Sequence, residues 1–213
     1  MDDALGTIRE CRIVAVLRAD EPGHIGEVAD VLVRAGVRAV EIALTTPGAL
    51  RALETFAASD PAGACLGAGT VLSATDARAA IDAGARYLVT PAFVTEVVRV
   101  GLEHSIPVLA GALTPTEILA AHRAGASAVK VFPAALGGPA YLRLVRDPLP
   151  GIPLVPTGGV RLEDAADYLA AGAIAVGTGS QLTGDALRGG DLGALAARAA
   201  RLVAALAGTP LPR

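Results

Sequence analysis

Aromatic side chains are almost missing from this chain: three phenylalanines, three tyrosines and no tryptophan in 213 residues. A core of this size must therefore be built from Val, Ile, Leu and Ala, which suits strands buried on both faces and filled by branched aliphatics. Cysteine is equally scarce. Cys11 and Cys65 stand alone at the starts of apolar runs, which rules out a disulfide framework and points to buried, reduced thiols. No excess of basic residues exists either, since the formal charge is −3; nucleic acid and anionic membranes are thereby poor partners. The acidic start, MDDALGTIREC, lacks the charged and apolar regions of a secretory signal. No run of about 18 residues free of charges and Gly/Pro breaks reads as a membrane span. These absences together predict a cytoplasmic protein.

What is present is a globular composition, 53 % hydrophobic and 18 % charged, in a length that fits one domain, residues 1–213. Short apolar runs alternate with helix-period segments from end to end. Strands are expected at 12–18, 37–44, 64–69, 86–90, 106–111, 127–132, 152–157 and 173–178. Helical patterns lie between them at 24–36, 73–84, 114–125 and 161–172. Ser73 and Thr114 stand at N-cap positions, Pro115 opens a helix, and a glycine closes each segment. Eight strands alternating with helices allow either a parallel barrel or a doubly wound sheet.

A weak repeat favours the barrel. Ala-Gly-(Val/Ala) recurs at 35–37, 83–85, 124–126 and 171–173, spaced by 48, 41 and 47 residues, each time closing a helix and opening a strand. Four copies of a two-unit module make a closed (β/α)8 TIM barrel, here with an extra N-terminal helix; an open sheet gives no reason for that regularity. Five residues past each repeat glycine stand Glu41, Val89, Lys130 and Gly177, on strands two, four, six and eight. Alternate strands supply one interior layer of four side chains, so Glu41 and Lys130 are expected to face each other near the C-terminal mouth.

Lys130 is the strongest chemical signal. Of 18 basic residues it is the only lysine, and it sits in the apolar run AVKVF. Arginine does not surrender its proton in a protein, whereas a desolvated lysine does, and a neutral amine attacks a carbonyl to form a Schiff base. The bland alternative is a snorkelling or ion-paired structural lysine. Glu41, in AVEIAL, is a general acid/base on the functional reading and one half of an ion pair on the other. After strand three, GAGT offers close backbone approach and the hydroxyl of Thr70, although such turns are as often purely steric. TGG (157–159) and GTGS (177–180) follow strands seven and eight, where barrels commonly grip phosphate. Arg18, at the end of strand one, either reaches the mouth or is an ordinary strand-end charge. His24, His104 and His122 lie in or beside helical segments without metal-ligand spacing, which predicts no metal site.

These motifs resemble one family, the 2-keto-3-deoxy-6-phosphogluconate (KDPG) and 4-hydroxy-2-oxoglutarate (KHG) aldolases. The match runs through IVAVLRA (13–19), VEIALTTP (40–47), LGAGTV (66–71), ALTPTE (112–117), AVKVFPA (128–134), PTGGV (156–160) and AVGTGS (175–180). The resemblance implies a homotrimer of barrels cleaving KDPG to pyruvate and glyceraldehyde 3-phosphate, with neither metal nor cofactor. It implies Lys130 as the Schiff-base lysine and Glu41 as the proton shuttle. Thr70, Pro91 and Phe132 would line the pyruvate pocket, and Thr157, Gly158, Gly159, Gly179 and Ser180 the phosphate end. One position departs. Many relatives carry arginine four residues after the glutamate, where this chain has Thr45; carboxylate binding would fall to Thr70, the GAG backbone and Arg18. The galactonate epimer of the substrate and unphosphorylated KHG are the alternatives within the family, and a non-aldolase phosphosugar barrel the alternative outside it.

Overall fold

The computed structural model describes residues 4–21, 23–59 and 63–209; the first three residues of the acidic N-terminal stretch lie outside them. The first half of the chain runs α1 (Ala4–Cys11), β1 (Ile13–Leu17), α2 (Ile25–Arg34), β2 (Ala39–Ala43), α3 (Ala49–Ala58), β3 (Cys65–Gly69), α4 (Ala74–Asp82) and β4 (Tyr87–Val89). The second half runs α5 (Thr95–His104), β5 (Val108–Ala112), α6 (Pro115–Arg123), β6 (Ala128–Val131), α7 (Gly138–Arg146), β7 (Leu154–Pro156), α8 (Ala165–Ala170), β8 (Val176–Thr178), α9 (Ser180–Thr183) and α10 (Leu192–Ala207). All eight strands expected from the sequence form, each within a few residues of its expected limits.

From β1 to β7 each strand pairs parallel with the next in sequence, and β1 also pairs parallel with β8. The remaining seam, between β7 and β8, is joined by the Thr157–Gly177 bridge and by the Ile174 amide donating to the Leu154 carbonyl at 3.0 Å. The fold is a (β/α)8 barrel. Its helices form for the reasons the sequence offered. Thr114 and Glu117 make a reciprocal capping box with Pro115 at the first helical position, and the Ser73 hydroxyl accepts from the Asp76 amide. Gly36, Gly84, Gly125 and Gly172 close the repeat helices at φ between +96 and +99°, a conformation that costs a side chain roughly 1 kcal/mol or more.

Two apolar cores result, one between the strands and the helices and one inside the barrel. The inner core holds Val14, Ala39, Cys65, Tyr87, Leu109, Ala128, Val155 and Ala175, and α1 closes it from the N-terminal end with buried Ala4 and Ile8. Burying Ile8 completely is worth about 1.5–3 kcal/mol, enough to seat this short helix as a plug. Cys11 is half-buried and Cys65 buried, and the two are not joined in a disulfide. Among the described residues no helix is long and apolar enough to cross a membrane.

Candidate active site

The register expected from the repeat is the register found. Glu41 pairs with Val16 and Gly67, and Lys130 with Gly111 and Val155, which puts both side chains on the inner face. The Lys130 amine lies 3.6 Å from Glu41 Oε1, with the side chains only 7 % and 2 % exposed. That separation is an ion pair without a direct hydrogen bond, and Glu41 Oε1 has no hydrogen-bond partner. The amine is therefore held by charge but not locked by geometry. Above it, the Phe132 ring centroid is 5.5 Å away, a cation–π distance.

Glycines make the room. A Cβ at Gly69 would stand 1.8 Å from Glu41 Oε1, so the carboxylate occupies the space of the missing side chain. At Gly111 the same atom would meet the Pro91 carbonyl carbon at 2.2 Å; the absence of a side chain lets Pro91 fold over the mouth. At Gly177 it would meet Thr157 Oγ1 at 2.2 Å. Two long polar side chains thus fit in a layer that branched aliphatics would otherwise fill.

The other residues singled out from the sequence fall into three groups. Arg18 Nη2 donates to Thr70 Oγ1 at 2.9 Å, joining the ends of β1 and β3, and Thr70 holds φ +57°. At the far side, Phe132 lies against Gly158, whose added Cβ would meet the ring at 2.7 Å. Thr157 is buried, Gly179 half-buried, and Ser180 exposed at the start of α9. Gly158 and Gly159 sit at φ +89 and +74°, and a Cβ on Gly159 would meet Ala135 at 2.6 Å. Backbone conformation alone accounts for those two glycines. Thr45 is exposed in the turn after β2 and lines a groove of about 350 Å³ with Thr46, Leu50 and Asp76; it makes no hydrogen bond to the lysine–glutamate pair.

Several residues that hold this mouth together carried no signal of their own. Thr46, buried, accepts from the Ala19 amide at 3.1 Å and ties the β1 loop to the β2 loop. Thr90 accepts from the Gly111 amide at 2.9 Å and donates to the Ala92 carbonyl at 2.6 Å, fixing the turn that carries Pro91. Each is a threonine at a strand end, a recurrent position that was available as a hint. Tyr87 is fully buried one layer below Glu41; its ring fills the place of a side chain at Gly67, and its hydroxyl has no hydrogen-bond partner. Among the described residues no group of three or more His, Cys, Asp or Glu side chains is arranged to hold a metal ion.

An eight-stranded barrel with a buried amine and carboxylate facing each other at its C-terminal mouth has the machinery of a carbonyl-condensing lyase. Residues 5–197 match the family described as KDPG and KHG aldolase, and the chain belongs to it. It is 41 % identical over 163 residues to the 2-dehydro-3-deoxy-phosphogluconate aldolase of Pseudomonas aeruginosa, covering 76 % of this chain and 74 % of that one. Identity is 37 % over 181 residues to a probable 2-dehydro-3-deoxy-6-phosphogalactonate aldolase of Rhizobium meliloti, covering 84 % and 85 %. In three dimensions it resembles KDPG aldolase from Legionella pneumophila with pyruvate captured as a covalent carbinolamine intermediate. That match has a TM-score of 0.86 at 25 % identity over 94 % of this chain and 98 % of the other.

Proposed function

We propose that this chain is a class I aldolase that cleaves KDPG to pyruvate and glyceraldehyde 3-phosphate through a Schiff base on Lys130. The observation that carries the reading is the buried pair of Lys130 and Glu41, 3.6 Å apart at the mouth of the barrel. The relative captured as a carbinolamine with pyruvate supports the same covalent chemistry here.

In this reading the neutral Lys130 amine attacks the C2 carbonyl. Glu41 relays protons until the carbinolamine loses water and the iminium forms. Glu41, directly or through water, then takes the C4 hydroxyl proton; the C3–C4 bond breaks and its electrons pass into the iminium. Glyceraldehyde 3-phosphate leaves, the enamine is protonated at C3, and hydrolysis returns pyruvate and the free lysine. Thr70, Pro91 and Phe132 line the pyruvate end. The contact of Arg18 with Thr70 supports Arg18 as the carboxylate anchor in place of the arginine that many relatives carry where Thr45 stands. Thr157, Gly158, Gly159, Gly179 and Ser180 receive the phosphate, helped by amides at the start of α9 that have no intrahelical acceptor.

Because one relative is named for the gluconate series and another for the galactonate series, the C4 epimer is the second substrate of choice. We further infer a cytoplasmic homotrimer serving the Entner–Doudoroff route. Two cysteines not joined in a disulfide fit a reducing compartment, and exposed Leu72, Leu136 and Leu144 offer apolar surface to a second copy. The experiment is borohydride reduction with pyruvate followed by peptide mass mapping. Since Lys130 is the only lysine, a pyruvyl adduct on a side-chain amine must map to it; folded protein that yields no adduct rules out the Schiff base.

A further inference from the structure

The arginines at the N-terminal end of the barrel divide into two kinds. Arg12 donates to the Leu206 and Thr209 carbonyls, and Arg38 pairs with Glu10 at 2.8 Å. Arg9, in the last turn of α1, and Arg146, the last residue of α7, are half-buried and make no hydrogen bond or ion pair among the described residues. Both line one cavity of about 210 Å³, together with Gly151, Pro153, Gly172 and Ile174, and among the described residues no carboxylate lines it. Arg146 Nε is buried with no partner. Its guanidinium is also held in place: a Cβ at Gly172 would stand 1.6 Å from Nη1, so the group occupies the space of the missing side chain.

Two cations in one cavity repel each other, and a buried guanidinium hydrogen without an acceptor adds a desolvation cost. A single oxyanion in the cavity relieves both, because two guanidinium groups that line it can each donate to its oxygens. The cavity is smaller than the roughly 300–1,000 Å³ of pockets that enclose drug-sized ligands, so it fits one phosphoryl group rather than a whole sugar acid. We propose that Arg9 and Arg146 form an anion site for a phosphoryl group, at the opposite end of the barrel from Lys130. The site sits where β7 and β8 begin, directly after Pro153 and two residues beyond Ile174; the same strands end at Pro156 and Thr178.

Calorimetric titration of the full chain with inorganic phosphate in chloride buffer tests this, using wild type, Arg9→Gln and the double variant Arg9→Gln/Arg146→Gln. Arg9→Gln leaves Arg146 packed on Gly172 and serves even if the double variant does not fold. Losing one charge-assisted partner should weaken this binding about tenfold or more, while aldol cleavage stays within about twofold of wild type. A parallel titration with glycerol 3-phosphate separates a site for phosphate monoesters, in which both ligands lose affinity in Arg9→Gln, from one for free phosphate, in which only phosphate does. Phosphate affinity and stoichiometry identical in wild type and Arg9→Gln would overturn the site, since all binding would then lie elsewhere.

Discussion

Two layers of the same tube, one step apart on the same four strands, have opposite characters. The lower layer is Ala39, Tyr87, Ala128 and Ala175, sealed beneath by α1; the upper is Glu41, Val89, Lys130 and Gly177, open to the mouth. Below, three small side chains and one large ring fill the space, and the hydroxyl of Tyr87 is the only polar group the layer carries. Above, the glycines at 69, 111 and 177 withhold volume so that a carboxylate and an amine can stand in it. The inner face alternates with a period of two residues, so a displacement of two changes a packed floor into a reactive site without changing the fold. The floor also serves the site: apolar packing beneath the ion pair keeps water from reaching it from below, which strengthens the attraction between the charges.

The largest effect expected from disturbing this contrast comes at Lys130. Lys130→Arg preserves a buried cation beside Glu41, so the ion pair and the fold should survive; removing the charge instead would leave Glu41 uncompensated at a cost of about 3–5 kcal/mol. Arginine supplies no neutral amine, and aldol cleavage should drop to background in a stopped assay of pyruvate release. Substantial cleavage by Lys130→Arg would remove the amine from the mechanism. The upper layer would then differ from the lower only in polarity.

A smaller effect should come from returning volume to the upper layer. In Gly69→Ala the new methyl would stand 1.8 Å from Glu41 Oε1 and 2.5 Å from its carboxyl carbon, so the carboxylate must swing aside. Displacing a proton-transfer group by about 1 Å costs on the order of 10²-fold. We expect that loss in kcat, with a melting temperature close to wild type and the borohydride adduct on Lys130 still formed. A kcat within threefold of wild type would mean that the carboxylate need not sit where Gly69 lets it sit.

How far this arrangement was legible in the sequence differs between the layers. The upper one was readable, because its spacing is counted from the repeat glycines and its two members stand out chemically, Lys130 as the sole lysine and Glu41 as a carboxylate in an aliphatic strand. The lower one was not. The fit of Tyr87 into the gap at Gly67 depends on two strands whose neighbouring register, Gly67 beside Tyr87, is set only when the barrel closes. The reach of Arg18 to Thr70 spans 52 residues and follows no period, so the sequence left the role of Arg18 open. The phosphate loops were read from their glycines, yet positive φ at Gly158 and Gly159 would demand glycine whatever they bind. Periodicity foretells which face a side chain takes; it does not foretell how far that side chain extends or what it meets.

The smallest expected effect tests whether the lower layer is as apolar in its energetics as in its composition. Burial, foremost, and then the neighbouring Cys65, Glu41 and Cys11 push the Tyr87 phenol well above its ordinary pKa. An unfolded tyrosine ionises near ~10, so above about pH 10 the unfolded chain has shed a proton that the folded chain keeps. Stability must then fall as pH rises, by at most about 1.4 kcal/mol per pH unit from this residue, with no contribution at neutral pH. Tyr141 and Tyr168 shift in the same direction, so wild type alone does not isolate the effect. Tyr87→Phe keeps the ring in the space at Gly67 and removes a hydroxyl that has no hydrogen-bond partner. Deleting an unpaired buried hydroxyl should leave stability at pH 7 unchanged or raise it by up to about 1 kcal/mol, and urea unfolding above pH 10 should show a shallower decline than wild type. A loss of 2 kcal/mol or more at pH 7 would show that the hydroxyl is held by a partner, and that the floor of the barrel is a second polar layer rather than a seal beneath the first.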